Sequence, residues 1–402
     1  MCKRGFATVR NIEDRAGCFF SFCPLAAIGW LHRKIKNSFY LVIGSPVCES
    51  FIQNAFGMML FAKPRFATAV IEEYDLFLGT SPKRILEFAK EIANGYKIDV
   101  LFLLETCPSQ LLKLDVARWA EIASAELEIP VINVPISGLD ASFTEGEDSI
   151  LSSLVDLCPS DAHRPNLILV GSLAGSVESE FLYEFRNLKH PVSFLPPAAI
   201  GELPSISEKT TAVFLHPYLE QTRKKLAARG CNIVSTVFPL GASASRQFFE
   251  DVFNALGVSA KGLAEREANI FARNAELHGR IFGKKFFFFP DTQLEIPLAR
   301  FLSSLGGEIV ELSVPKINTK LLSKELEFLD NGIAIIERAD FNEQMNKILL
   351  TRPDLIIAPL ALTTPLLQKG YKVKHSMDFI LLPIQGFSNH RSLVELFTNA
   401  MI

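Results

Sequence analysis

Short apolar runs recur along this chain roughly every 25 to 40 residues, with amphipathic segments between them, and that alternation leaves few folds open. The runs at 39–44, 100–104, 131–134, 167–170, 212–215, 233–236, 285–289, 308–312, 333–336, 355–358 and 379–382 read as strands. They are continuous rather than alternating, as strands buried on both faces of a parallel sheet are. Between them, stretches such as 82–93, 219–229, 245–256 and 321–329 carry helical spacing. Alternating β and α elements predict an α/β protein with parallel sheets, helices on both faces and right-handed crossovers.

Two breaks divide the pattern. Cys158 to Pro165 is rich in turn formers, and 257–284 reads as a long charged helical segment closing at Gly283. The expectation is three Rossmann-like, doubly wound domains at 1–162, 163–280 and 281–402. A chain of 402 residues is long enough for that many cores. The domains could be distant copies of one another, although no repeat is visible in the sequence.

Composition narrows the class. Hydrophobic residues at 49% against 21% charged indicate a packed globular protein, and a net charge of −3 gives no support to nucleic-acid binding. The longest apolar stretch, Phe19 to Leu31, is too short for a membrane span and lacks a signal-peptide cleavage pattern. A soluble, cytoplasmic protein is expected. Seven scattered cysteines with no Cys-x-x-Cys read as reduced thiols. No phosphate-cradling Gly-x-x-x-x-Gly-Lys-Ser/Thr occurs, and Gly171-Ser-Leu-Ala-Gly175 lacks the third glycine of a dinucleotide fingerprint. Thr144 with Glu147 reads as a capping box. The histidines are scattered, without metal-ligand spacing.

Cys48 lies four residues past the run 39–44 and Cys107 just past 100–104, where open α/β sheets bind ligands. Cys23 precedes Pro24, a favoured first helical residue, and an apolar helical stretch. A helix start suits a thiolate or an iron–sulfur cluster. Singly, each cysteine reads more readily as a small buried hydrophobe than as a ligand. Together the three could converge on one metal centre. A 4Fe–4S cluster has four iron sites, so three thiolates leave one for Cys18, Cys158 or a partner's residue. The 33 phenylalanines fit a Phe-rich core or a pocket for a flat aromatic ligand.

Several stretches carry a family resemblance: Phe22-Cys-Pro-Leu, Trp30-Leu-His-Arg-Lys, Ser38-Phe-Tyr-Leu-Val-Ile-Gly-Ser with Cys48, and Gly57-Met-Met-Leu-Phe-Ala-Lys-Pro-Arg-Phe66. Further on come Thr106-Cys-Pro-Ser109, Gly138-Leu-Asp140, Phe143-Thr-Glu-Gly-Glu-Asp148, Gln293-Leu-Glu-Ile and Pro383-Ile-Gln-Gly386. The combination resembles the N subunits of light-independent protochlorophyllide reductases, a nitrogenase-like family, nearly end to end. The resemblance implies a nitrogenase-component-1-like fold and an N2B2 heterotetramer with a B subunit. It also implies electron supply from a separate ATP-hydrolysing L protein. Cys23, Cys48 and Cys107 match the family's cluster-ligating cysteines, the fourth ligand being an aspartate of the B subunit. Phe22 matches a phenylalanine close to the pigment. The implied reaction reduces the C17=C18 bond of ring D of protochlorophyllide to give chlorophyllide a, in the cytoplasm or, for a plastid-encoded chain, the stroma. The alternative is a related scaffold that carries a metal cluster or tetrapyrrole without reducing it. Departures from the family pattern are Pro24 in place of Gly, no Thr before Cys48, Lys63 for Glu, and His375 for Trp.

Overall fold

Three parallel sheets carry the chain in the computed structural model, which describes residues 12–14, 17, 22–56, 65–78, 81–139, 141–161 and 165–402. The first sheet holds β2 (Ser38–Gly44), β3 (Phe66–Val70), β4 (Val100–Glu105) and β5 (Val131–Pro135), in the order β3-β2-β4-β5. The second holds β6 (Asn166–Val170), β7 (Val192–Leu195), β8 (Thr210–Phe214) and β9 (Asn232–Val234), in the order β7-β6-β8-β9. The third is built on β10 (Lys285–Phe288), β11 (Glu308–Val314), β12 (Ile335–Glu337), β13 (Leu355–Ala358) and β14 (Val373–His375). Its order is β1-β12-β11-β10-β13-β14, where β1 is Ile12–Asp14. The first strand among the described residues thus pairs in parallel with β12, Ile12 opposite Ile335.

One winding repeats in all three sheets. In the first two sheets the first strand has its successor on one side and the next two on the other; in the third, β11 and β12 lie on one side of β10 and β13 and β14 on the other. Each sheet therefore reverses direction beside its first strand: between β2 and β4, between β6 and β8, and between β10 and β13. At such a point the two crossovers leave on opposite faces and open a crevice beyond the strand carboxyl ends. The repetition that the sequence conceals is plain in the topology.

Burial explains why these segments are strands and helices. All seven residues of β2 are buried, as are Val100–Leu104 of β4. The helix Ser81–Gly95 buries Ile85, Ala89 and Ile92, spaced one turn apart, against Leu101 and Leu103 on one sheet face. Each such isoleucine contributes about 2–3 kcal/mol of transfer free energy. The helix Val116–Leu127 starts where Asp115 accepts the Arg118 N–H at 3.1 Å, and stops at Glu128 in the left-handed region.

Two expectations are corrected. Residues 379–382 are not a strand. Asp378–Leu381 is a helical turn, and the strand beside β13 is β14, six residues earlier. Four apolar residues have no period to separate the two structures. Here Phe379 is buried while Leu381 and Leu382 are half-exposed, the one-sided burial of a surface turn. The segment 257–284 is not one helix but two, Leu263–Arg273 and Ala275–Gly279, broken at Asn274 (φ −112°, ψ 12°). Among the described residues no helix is long and apolar enough to cross a membrane.

Candidate metal centre

All three cysteines stand at helix starts, where backbone N–H groups lack helical partners. Cys23 caps the short 3-10 turn Pro24–Ala27 with extended backbone (φ −70°, ψ 136°), and its carbonyl accepts the Ala26 N–H at 2.9 Å. Cys48 is the third residue of the helix Pro46–Phe56, which follows β2 directly. Cys107 is the first residue of the helix Cys107–Leu111, which follows β4. The latter two therefore flank the crevice between β2 and β4. Thr106 and Ser109 hold that crevice closed at its base, both hydroxyls donating to the Ile43 carbonyl at 2.7 Å.

Contacts around the sulfurs tie the three together. A Cβ on Gly44 would stand 2.9 Å from Cys48 Sγ and 3.0 Å from Thr106 Oγ1, so the helix carrying Cys48 needs glycine there. Cys48 Sγ lies 3.8 Å from Thr106 Oγ1, on the residue that precedes Cys107. Cys107 Sγ accepts the Gly138 N–H at 3.1 Å and lies 3.6 Å from the Ser137 hydroxyl. A Cβ on Gly138 would touch both Cys107 Sγ (3.7 Å) and Pro24 Cδ (3.4 Å), which brings the Cys23 turn to the same place. Gly146 makes that approach possible, since a Cβ there would overlap the Pro24 carbonyl.

The three thiols are half-exposed, whereas Cys158 and Cys231 are buried. Burial pushes the Cys23 thiol up to about 11. The Leu25 N–H works against that rise, and negative charge on Cys107 and Cys48 adds to it. The donor that Pro24 cannot supply is thus replaced by Leu25, one residue on. Thiolates gathered this closely repel one another, so the trio favours a positively charged occupant. Among the described residues no three His, Cys, Asp or Glu side chains are close enough to hold a single ion. Thiolates on separate corners of a polynuclear cluster stand farther apart than ligands of one ion, and the half-exposed, soft donor set fits such a group.

An aromatic surface begins beside Cys23. Phe22 meets Phe51 and Phe143 edge-on, with ring centroids 5.2 and 6.0 Å apart, and Trp30 meets Phe143 at 5.7 Å. Trp30 is fixed by its indole N–H, which donates to Glu147 at 2.8 Å. The same buried carboxylate accepts the Ser172 N–H at 2.7 Å, from the loop after β6, and the Tyr218 hydroxyl at 3.2 Å. The expected Thr144–Glu147 capping box is therefore not formed. Glu147 is claimed by three donors, Trp30 and two from the segments after β6 and β8, and the Thr144 hydroxyl donates to the Thr292 carbonyl at 3.1 Å. The reach-back is made instead by Glu145, which accepts the Ser142 N–H at 2.7 Å.

Cys158 is not with the trio. It lies in the core, its thiol 3.5 Å from the Leu154 carbonyl, with Arg229 and Cys231 the nearest influences on its charge. Cys18, Asp140, His163 and residues 57–64, which include Lys63, lie outside the described residues. His375 bonds to Thr363 at 3.2 Å. The contacts that give Ser137, Gly138, Trp30 and Glu147 their place at the site could not be read from sequence spacing, because these partners are 25 to 117 residues away.

Four large apolar side chains near the cysteines, or beside Gly138, in sequence are exposed. Val47, Leu111, Leu112 and Leu139 flank the cysteine-bearing segments at 76%, 68%, 49% and 58% exposure.

Comparison with known proteins gives a consistent result. Residues 23–402 match the family described as nitrogenase component 1 type oxidoreductase. The chain is 39% identical over 388 residues to light-independent protochlorophyllide reductase subunit N of Chloroflexus aurantiacus, covering 96% of this chain and 86% of that protein. It is 34% identical over 426 residues to the subunit N of Heliobacterium modesticaldum, covering 98% and 96%. A solved nitrogenase structure, Cp1 at pH 6.5, superposes over 100% of this chain and 94% of its own with a TM-score of 0.78 at 17% identity, a likeness of fold.

Proposed function

Because the chain belongs to the nitrogenase component 1 type oxidoreductases, and within them to the subunit N group of light-independent protochlorophyllide reductase, we propose that it is the electron-relaying, pigment-binding subunit of such an enzyme. The observation that carries this reading is 34–39% identity with subunits N over nearly the whole chain, joined to two partly exposed thiols at one crevice and the turn of a third beside them. Cys23, Cys48 and Cys107 would hold a 4Fe–4S cluster. When bound, that cluster supplies one-electron transfer between a donor protein and the substrate.

This chain's residues have definable tasks. The N–H groups of Leu25 and Gly138, directed at Cys23 and Cys107, stabilise negative charge on the sulfurs. The trio leaves one iron for a ligand from outside, and the apolar rim of Val47, Leu111, Leu112 and Leu139 fits a B subunit that brings it. Phe22, with Phe51, Phe143 and Trp30 behind it, offers a flat apolar face to a macrocycle and keeps water from it. Glu147 keeps Trp30 in its place. Electrons would come from an L-type protein that hydrolyses ATP, since this chain has no phosphate-binding loop. The product would be chlorophyllide a, formed by saturating the C17=C18 bond of ring D.

Anaerobic co-expression with a B-type subunit tests the proposal. With L protein, ATP and protochlorophyllide in darkness, chlorophyllide absorbance should appear, and the purified complex should contain iron and sulfide. A complex with no iron, or one that binds pigment without ever converting it, would end this reading.

A further inference from the structure

Beyond the carboxyl ends of β8 and β9 lies a cavity of about 400 Å³, walled by segments that belong to the second and third sheets. Ser235 and Thr236 follow β9 directly, and Arg223 comes from the helix Glu220–Ala228. Lys320, Leu321 and Ser323 come from the segment after β11. The two walls meet where the Ser235 and Ser323 hydroxyls bond at 3.0 Å. The loop that carries Lys320 is fixed by Asn318, whose side-chain oxygen accepts the N–H groups of Lys320 (3.2 Å) and Leu321 (3.1 Å). Phe214 and Phe238 add apolar wall.

The charge of this lining is one-sided. Among the described residues no carboxylate borders the cavity, whereas Arg223 and Lys320 bring two positive charges. Neither of these side chains has an ion pair or hydrogen bond among the described residues. The acids on the neighbouring elements are taken. Glu220, one turn back on the Arg223 helix, is held by Lys224 at 2.8 Å, and that bond is the main reason its carboxyl lies below the usual range. Glu325 is held by Arg300 at 2.6 Å and Glu327 by Lys324 at 2.9 Å. A guanidinium cannot shed its charge to suit such a place. The Arg223 Nε–H is cut off from water without an acceptor, and the hydroxyl of Thr236, a residue 7% exposed, has no partner either. Buried polar groups left empty cost free energy, and several of them around one uncompensated cavity call for a ligand that accepts hydrogen bonds.

The geometry points to a binding site for a small oxyanion, a phosphate or carboxylate group on a short carbon body, held between the second and third sheets. Arg223 offers paired N–H groups that match two oxygens of such a group, and Lys320 adds a point charge. The hydroxyls of Ser235, Thr236 and Ser323 can donate to the remaining lone pairs. Phe214, Phe238 and Leu321 suit the carbon body. Ligand pockets run from about 300 to 1,000 Å³, so a cavity at the low end of that range takes a small molecule. Because its walls come from two sheets, an occupant ties them together and adds to the stability of the folded chain. The site uses none of the residues assigned above to the cluster or the pigment, and it stands whatever reaction the protein carries out.

Calorimetric titration of the purified complex with inorganic phosphate and, separately, with succinate tests the site, with ionic strength held constant by chloride. At least one of the two should bind saturably below about 10 mM and raise the melting temperature as its concentration rises. Tighter phosphate binding assigns a phosphate ligand, and tighter succinate binding a carboxylate. Arg223→Met should weaken the binding about tenfold or more, because it removes charge-assisted hydrogen bonds. Lys320→Ala, at an exposed position, should weaken it about threefold and keep the fold, so it decides should the Arg223 variant not fold. Lys261→Ala, an exposed lysine outside the cavity, should leave binding unchanged. No saturable binding of either anion would overturn the proposal. So would wild-type affinity in the Lys320 variant, or an equal loss in the Lys261 variant, which marks a general response to charge.

Discussion

Gly146→Ala sets two effects of opposite sign against each other. Gly146 is the second residue of the helix Glu145–Val155, and alanine in a helix interior is favoured over glycine by about 1 kcal/mol. Propensity alone therefore predicts a modest stabilisation. The new methyl, however, would overlap the Pro24 carbonyl oxygen and stand 2.9 Å from its carbon and 3.0 Å from Ala27 Cβ. Two of these contacts are backbone, which cannot rotate aside. Relief requires the turn Pro24–Ala27 to retreat by roughly half an ångström or more, and overpacking of this kind costs about 1–3 kcal/mol. The overlap should win, lowering the melting temperature of the complex by a few degrees. It should also move Cys23, so iron per complex and the cluster EPR signal should fall further than the melting temperature suggests. Gly138→Ala is the control, because its Cβ meets only ordinary contacts of 3.4 and 3.7 Å. Unchanged melting and full iron content in Gly146→Ala would refute the close approach of the Cys23 turn to this helix.

Three other outcomes are expected. Cys48→Ala and Cys107→Ala should remove the iron–sulfur absorbance and dark turnover while circular dichroism stays unchanged, whereas Cys231→Ala, a buried core thiol, should keep both; loss of iron in the Cys231 variant alone would reverse the ligand assignment. Arg300→Met should destabilise the chain by about 3–5 kcal/mol in denaturant unfolding, because it strands Glu325, fully buried and paired at 2.6 Å, without its counter-charge. Asp148 is raised to about 6 from 3.8, burial outweighing its Thr222 and Gln221 donors. A raised acid binds its proton more tightly when folded, so its contribution should weaken as pH rises from about 4 to 6 and then level off, by about 3 kcal/mol at most. Asp148→Asn should flatten that part of the stability profile, and a slope identical to wild type would contradict it.

How far the sequence could be read depended on whether the cause was local. The long buried strands β2 and β4 were legible because an unbroken apolar run has one comfortable home in a parallel sheet. Cys48 and Cys107 were placed at strand ends by the same reasoning. Phe66–Val70, Val192–Leu195 and Val373–His375 escaped notice because a three- to five-residue strand carries too little pattern, and 379–382 was misread for that reason. Helix ends failed where a distant partner outcompeted a local one. Glu147 was expected to serve Thr144, but indole, hydroxyl and amide donors from three remote segments claim it. Nothing in the sequence marks Asp291 and Glu295 as buried, and their dryness comes from tertiary packing, where Thr292 and Gln293 meet Ser142 and Thr144. The convergence of the cysteines was suggested by strand ends, but their grouping as one ligand set came from family resemblance, since spacings of 25 and 59 residues encode no geometry.

The pairing of Ile12–Asp14 with Ile335–Glu337 has a consequence for biosynthesis. More than 300 residues of chain separate the two strands, so this is a long loop to close before their hydrogen bonds can form. Until β12 is made and folded, that edge of the third sheet stays open, and a chain cut anywhere between the two strands has no such seal.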